Sequence, residues 1–234
     1  GRRGCFKTGG SSKRRRIGSQ EKEMGMIKNK KRNKTILYLP FEGNWFVFWG
    51  GDTKKFNAHH DAPNQKFAFD FDAVDKNGKR YQRRGKKNED YYSFGKKILA
   101  PADGVIVEVV DGIRDNKPGL MNDYFTFGNT IIVKHRKNEI SVLAHLRQGS
   151  LKVKAGDKVK KGQIIALCGN SGNSSEPHLH YHLQDSSIIQ KGKGIKIFFK
   201  DVKLFAKGKE IFYKEYSPRK KDIVVKNSLK YIEV

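Results

Sequence analysis

Short apolar runs, separated by Gly, Asn, Asp or Pro, recur along the chain from about residue 35 onward. Several of them alternate apolar and polar residues, which is the period of a β-strand with one buried face. The seven clearest runs occupy residues 67–71, 97–101, 104–110, 129–135, 140–146, 163–169 and 178–184. No stretch between them repeats apolar residues at the period of an amphipathic helix. The pattern therefore predicts an all-β domain with antiparallel strand pairing.

Two intervals between these runs are longer than hairpin turns. Residues 72–96 are strongly basic and end in YYSFG, and residues 111–128 contain KPGLMND. Long loops that border a β core commonly build substrate clefts, so we expect these two loops to frame a groove. Residues 185–234 retain fragments such as IKIFF and KEIFY, which predict additional strands that close the domain.

The beginning of the chain has a different composition. Residues 1–34 are rich in Lys, Arg, Gly and Ser, and Phe6 is their single aromatic residue. Such a segment buries too little apolar surface to offset the entropy of ordering, so we predict a basic, mobile tail whose RRR run is a solvated arm or an electrostatic tether. The predicted division is a tail at 1–34, a main domain at 35–205 and a strand extension of the same domain at 206–234.

The formal net charge is +25, which directs attention to polyanionic partners such as nucleic acid, anionic lipid or anionic wall polymers. The chain lacks an RNA-recognition or zinc-finger motif, and its aromatic residues lie mostly in apolar strands, so we predict no specific nucleic-acid partner. No apolar run is long enough to predict a transmembrane segment. The start of the chain has neither an initiator Met nor an apolar signal core, so we interpret the chain as a fragment or processed product.

The cysteines support neither a disulfide framework nor a thiolate metal site, because Cys5 and Cys168 are the only two and Cys5 lies in the predicted tail.

The histidines are more informative. Three of the seven histidines stand in PHLHYHLQ, as His178, His180 and His182. Since side chains alternate faces along a strand, these three imidazoles share one face and the residues between them share the other. They could be polar surface positions, but three on one face favour metal binding or catalysis.

A metal site needs further ligands, and the segment NAHHDAPNQKFAFDFDA supplies candidates. His59 or His60 comes from a loop, and Asp70 or Asp72 from a strand whose Phe residues occupy the opposite face. A carboxylate flanked by Phe on both sides would be costly to bury without a cation. For Asp72 we favour the simpler interpretation of a solvated strand end.

Three segments closely resemble the lysostaphin-type (LytM-like) zinc metalloendopeptidases, the duplicated-hybrid-motif peptidases of peptidoglycan. They are GNSGNSSEPHLHYHL (169–183), AHL (144–146) and VKAGDKVKKGQIIALCGNSG (153–172). The resemblance extends over about residues 36–200, and PHLH with the upstream GNSG is its most specific part. It implies an antiparallel β-sheet or sandwich core with long loops beside a groove.

The resemblance also implies roles for individual residues. In that family the first His of an HxH pair is a catalytic base or stabiliser and the second binds zinc, which implies that His178 is catalytic and His180 a ligand. A catalytic His also stands in a YxHL-like segment, and the match here is His145. The usual first two ligands are a compact His and Asp pair, which this chain lacks. A lengthened variant with a PNQ-like turn and an AFDF strand implies His59 and Asp70 as the other Zn²⁺ ligands.

The function implied is zinc-dependent hydrolysis of peptidoglycan, at the stem peptide or cross-bridge, in the cell wall or outside the cell. Anionic wall polymers would be further partners. A catalytically inactive wall-binding or regulatory module on the same scaffold is the main alternative. A biotinyl or lipoyl carrier is disfavoured because no suitably placed Lys occurs. For His182 a supporting or substrate contact and a plain polar surface position both stay open, and His135 is expected to be structural.

Overall fold

The computed structural model describes residues 32–206 and 208–226. Residues 1–31 of the predicted tail lie outside the described residues. Residues 227–234 of the predicted extension lie outside them as well. Within them twelve strands follow in chain order: β1 Gly43–Trp49, β2 Phe69–Ala73, β3 Lys97–Leu99, β4 Gly104–Val110, β5 Asn129–Arg136, β6 Glu139–Leu146, β7 Lys158–Val159, β8 Ile164–Leu167, β9 Leu179–Gln184, β10 Phe199–Ala206, β11 Lys209–Tyr216 and β12 Ile223–Lys226. Four short 3₁₀ helices lie between them, at Ala58–Asp61, Asn88–Asp90, Asp123–Phe125 and Ile189–Lys191.

Ten of the strands form one sheet in the order β11-β10-β12-β1-β2-β9-β6-β5-β4-β7, and β3 pairs with β8 in a second, small sheet. All strand pairs within the two sheets are antiparallel. The all-β prediction is therefore confirmed. Strands β2, β9 and β6 stand in the interior of the large sheet, so both of their edges are hydrogen-bonded.

One face of these central strands packs on the hydrophobic core. Phe71 of β2, Leu143 of β6 and Tyr181 of β9 are fully buried in it. Ile98 of β3 and Ile165 of β8 belong to the same cluster, so the small sheet covers this face of the large one. Burial of each such side chain stabilises the fold by about 1.5–3 kcal/mol, which makes the central strands a rigid base for the opposite face.

Each of the seven predicted runs overlaps a strand, whereas IKIFF contributes only its last residue, Phe199. The boundary of the tail needs correction. Asn33 is buried, donates from its side-chain amide to the carbonyl of Thr35 and accepts from the backbone N–H of Phe198. Glu139 accepts hydrogen bonds from the backbone N–H groups of Lys34 and Thr35. Residues 32–34 therefore belong to the folded part, because specific hydrogen bonds offset their weak hydrophobicity.

In the described part of the chain, no helix has the length and apolar character needed to span a membrane.

Candidate metal centre and active site

The face of β2 and β9 that points away from the core carries the candidate metal ligands. Asp70 and His180 are direct partners in the antiparallel register, as are Phe69 and Tyr181 beside them. The His180 Nδ1 atom lies 2.9 Å from Asp70 Oδ1. Asp70 is 6% exposed and His180 1% exposed, so both polar groups are held in a nearly water-free environment.

His59 reaches the same carboxylate from the 3₁₀ helix Ala58–Asp61. Asn57 caps this helix by accepting from the His59 backbone N–H, and its amide donates to the carbonyls of Lys66 and Ala68. The capped turn places His59 Nε2 at 2.9 Å from Asp70 Oδ2. Each Asp70 oxygen therefore has an imidazole nitrogen at 2.9 Å, and His178 Nε2 lies 3.7 Å from Oδ1.

His60 is turned away from this carboxylate. Its Nδ1 atom lies 3.4 Å from Asp61 Oδ1, and it is outside the group of potential metal ligands. The geometry therefore brings His59, and not its neighbour, to Asp70 and His180.

One ligand atom from each of His59, Asp70 and His180 lies within 4.8 Å of the other two. Two imidazole nitrogens and one carboxylate oxygen are a donor set that suits Zn²⁺. Burial lowers the pKa of His180 to about 4, so this ring is neutral and able to offer a lone pair. Burial also raises the pKa of Asp70, but the surrounding imidazoles, His59 foremost, outweigh it, so the net pKa lies well below its usual range. The residues fit a divalent metal ion.

His145 enters the site through an irregularity in the sheet. Between the pairs Asn129–Leu146 and Ile131–Leu143 the register of β5 and β6 shifts by one residue, and His145 has φ 61°. Regular alternation would direct His145 into the core with Leu143, but a bulge re-aims the side chain. The His145 ring instead lies 4.7 Å from the His178 ring.

The hydrogen bonds of these two imidazoles define which nitrogen carries the proton. His145 Nδ1 lies 2.8 Å from the carbonyl oxygen of Ser171, and His178 Nδ1 lies 2.8 Å from the carbonyl oxygen of Glu176. A carbonyl can only accept, so Nδ1 donates in both rings, and the neutral form of either ring keeps its lone pair on Nε2. Burial lowers the pKa of His145 well below its usual value, which keeps that ring neutral.

The loop that leads into β9 is held by the long loop 111–128. Asp115 accepts from the backbone N–H of Asn170, and the Asn116 amide donates to the carbonyls of Gly172 and Ser174. The Ser174 hydroxyl is in turn 3.1 Å from His178 Nδ1. Sequence reasoning missed Asp115 and Asn116, whose only available signal was their place in a loop expected to frame the groove.

These elements enclose a cleft of about 150 Å³. His59 and Asp70 of the candidate metal site line this cleft, together with the other two imidazoles and with aromatic or polar side chains. The lining residues are Phe48, Trp49, His59, Asp70, Asp72, Met121, His145, Asn173, Ser174, Ser175, Glu176 and His178. The 111–128 loop contributes Met121 to this lining, as expected of a loop that frames a groove.

Asp72 differs from its sequence interpretation. It is 3% exposed, and Arg80 from the 72–96 loop lies 3.2 Å from its Oδ2 while also contacting Glu176. Burial raises the pKa of Asp72 to about 7, against the opposing effects of His178 and Arg80. The prediction that Asp72 is a solvated strand end was therefore wrong, because the basic loop 72–96 folds back over this carboxylate.

The two remaining histidines occupy structured positions. His182 is buried, with its Nδ1 atom 3.0 Å from His180 Nε2, so it is not a polar surface position. His135 Nδ1 contacts the carbonyl of Asp103 at 2.8 Å, and its Nε2 contacts Ser141 Oγ at 2.8 Å. These bonds agree with a structural role for His135.

A His–Asp–His cluster beside a cleft that two further imidazoles line is an arrangement that metal-dependent hydrolases use. Residues 89–195 match the model of peptidase family M23. The match covers His145, His178 and His180 and begins after His59 and Asp70. The chain carries a peptidase family M23 domain, which confirms the predicted resemblance to lysostaphin-type peptidases.

The chain is also similar to segments of curated proteins. Endolysin 2638A of Staphylococcus phage 2638A is 41% identical over 64 residues, which are 27% of this chain and 13% of that protein. Peptidoglycan DD-endopeptidase ShyA of Vibrio cholerae is 33% identical over 90 residues, 38% of this chain and 18% of that protein. Murein hydrolase activator NlpD of Escherichia coli is 33% identical over 103 residues, 44% of this chain and 22% of that protein. The aligned segments span less than a quarter of the length of each of these relatives.

Proposed function

We propose that this chain is a zinc-dependent endopeptidase that hydrolyses peptide bonds of bacterial cell-wall peptidoglycan. The observation that carries the proposal is the cluster of His59, Asp70 and His180 beside a cleft that His145 and His178 line. We assign the first three as the zinc ligands and the last two as catalytic residues.

Zinc held by these three residues would polarise the scissile carbonyl and lower the pKa of a bound water toward neutrality. The protein supplies the proton transfers. Because both Nδ1 atoms donate to backbone carbonyls, the neutral form of His145 or His178 keeps its lone pair on Nε2. Either Nε2 is able to take a proton from the attacking water and return it to the leaving amine. Once protonated, the same imidazoles stabilise negative charge on the tetrahedral oxygen.

The rigidity of the arrangement supports a catalytic role. His145 is fixed by Ser171, and His178 by Glu176 and Ser174, so both rings are oriented before substrate binds. Preorganised donors and acceptors need little rearrangement during the reaction, and this is a large part of enzymatic rate enhancement.

Peptidoglycan is the substrate class named by one relative, ShyA, and it suits the charge of this chain. With a formal net charge of +25, the protein would be attracted to anionic wall polymers around the glycan network. The proposed location is therefore the cell wall or the exterior of the cell. Salt should weaken this attraction without changing the chemistry at the metal site.

A second candidate function is a non-catalytic regulator of wall hydrolysis, favoured by the similarity to the activator NlpD. Loss of a ligand would be the simplest sign of such a role. The grouping of three residues that could hold a metal ion beside two further imidazoles supports the peptidase instead.

The decisive experiment measures zinc content and digestion of purified peptidoglycan by the same preparation. We expect about one zinc per chain and release of soluble wall fragments that stops with chelator and returns with added zinc. Zinc binding without any release would favour the regulator. Absence of zinc binding, with intact folding, would reject the metallopeptidase.

A further inference from the structure

A chain of buried hydrogen bonds extends from the candidate metal centre along β9. His180 Nε2 lies 3.0 Å from His182 Nδ1, and His182 Nε2 lies 3.0 Å from Gln184 Oε1. The Gln184 amide nitrogen lies 2.7 Å from the carbonyl oxygen of Ser186. All three side chains are at most 1% exposed, so water does not supply alternative partners. The residues alternate along one strand and therefore share the face that carries Asp70.

The carbonyl oxygen of Ser186 determines which atom donates in each of these hydrogen bonds. The Ser186 carbonyl can only accept, so the amide nitrogen of Gln184 must point toward it and Oε1 must point toward His182. His182 then donates from Nε2, which leaves Nδ1 of the neutral ring as an acceptor. His180 consequently donates from Nε2, and its Nδ1 carries the lone pair.

This tautomer has a consequence at the metal site. His180 Nδ1 faces Asp70 Oδ1 at 2.9 Å, and neither atom carries a proton when the carboxylate is ionised. Two acceptors at this distance repel each other unless a cation binds both. The competing tautomer, with the proton on Nδ1, would donate to Asp70 and block the ligand atom.

We infer that His182 and Gln184 are positioning residues that hold His180 in the tautomer able to bind a metal ion through Nδ1. The inference rests on the proposed function only in taking His180 as a ligand. His182 does not line the cleft, so its contribution is to metal affinity and ring orientation and not to contact with substrate. Outer partners of metal-binding imidazoles typically change metal affinity by about 10- to 100-fold when removed.

The test compares zinc dissociation constants, measured by chelator competition, for the full chain and three variants. His182→Leu removes the acceptor for His180, and we expect zinc binding to weaken by about 10- to 100-fold. His182→Asn keeps an amide oxygen near the position of Nδ1, and we expect it to recover part of the lost affinity. Tyr181→Phe is the matched control, since it removes a buried hydrogen bond to Ser141 on the opposite face of the same strand. It should bind zinc as the parent does.

A spectroscopic signature separates this role from a merely structural one. Ring ¹⁵N NMR of the zinc-loaded parent should show His182 protonated at Nε2 and unprotonated at Nδ1. Protonation at Nδ1, or His182→Leu binding zinc as tightly as Tyr181→Phe, would overturn the inference while leaving the proposed peptidase intact. Failure of the parent to bind zinc would instead reject the proposed function, so the two failures are distinguishable.

Discussion

His145 Nδ1 lies 2.8 Å from the carbonyl oxygen of Ser171, across the gap between the end of β6 and the loop that leads to β9. This bond determines the tautomer of the neutral ring, because it commits the proton to Nδ1 and leaves the lone pair on Nε2. It also compensates for the left-handed backbone of His145, φ 61°, which costs a non-glycine residue about 1–2 kcal/mol. A strained residue with an oriented ring at a cleft is typical of a functional position.

Replacement of His145 by Asn should remove catalysis without removing the metal. Asn tolerates the left-handed conformation, and its amide is able to donate to the Ser171 carbonyl in place of Nδ1–H. Only the Nε2 base is lost. We expect peptidoglycan digestion to fall by about 10²- to 10⁴-fold with unchanged zinc content. His135→Asn is the control, because His135 contacts Asp103 and Ser141 outside the cleft. Equal activity of H145N and the parent would contradict the assignment.

The adjacent pair His59 and His60 allows a matched test of the metal ligands. His59 Nε2 is 2.9 Å from Asp70 Oδ2, whereas His60 Nδ1 lies 3.4 Å from the exposed carboxylate of Asp61. His59→Ala should therefore lower zinc from about one per chain to a trace, while His60→Ala should retain it. Elemental analysis after dialysis measures both. If H59A retained zinc and H60A lost it, His60 and not His59 would be the ligand.

The three histidines of β9 show what a sequence can predict about such a site. Period-two alternation places His178, His180 and His182 on one face whatever the surrounding fold, so their common side follows from local geometry alone. The pairing of Asp70 with His180 depends on the register between β2 and β9, which strand pattern alone does not give. The family resemblance supplied that partner.

Features that depend on contacts with loops distant in the sequence could not be predicted from the local residue pattern. Asp72 ends a run of alternating residues and therefore had the pattern of a solvated strand end, but Arg80 covers it from a loop without regular secondary structure at that point. His145 has the parity of a core residue, and only the bulge opposite Thr130 turns it to the cleft. Bulges and loop closure arise from tertiary packing, so a local pattern does not reveal them.

Metal removal should lower the thermal stability of the protein. A ligand that binds only the folded chain stabilises it by about 2.7 kcal/mol at a free concentration of 100 times Kd. For a chain of this size that corresponds to a shift of roughly 5–10 °C in Tm. We expect chelator to lower the Tm of the parent by this amount and to leave the Tm of H59A unchanged. An equal chelator effect on both proteins would show that the stabilising metal lies elsewhere.

Gly172 should be indispensable for the conformation of the loop that carries His178. It has φ +77°, and a Cβ added there would overlap the backbone nitrogen of Gly128 and the carbonyl oxygen of Phe125. Gly149 is the matched control, with φ +67° and open space around the position of a Cβ. Gly149→Ala meets only the backbone penalty of about 1–2 kcal/mol. Gly172→Ala adds a backbone clash, which typically costs about 1–3 kcal/mol more.

The two alanine variants should also differ in activity. Relief of the clash at Gly172 requires the 169–176 loop to move away from Gly128, and this displaces Ser174, which contacts His178. Peptidoglycan digestion should therefore fall in G172A by more than its loss of stability explains, whereas G149A should digest at the parental rate below its Tm. Denaturant unfolding and wall digestion at one temperature measure the two effects separately. If G172A matched G149A in both, the loop would not be what positions His178.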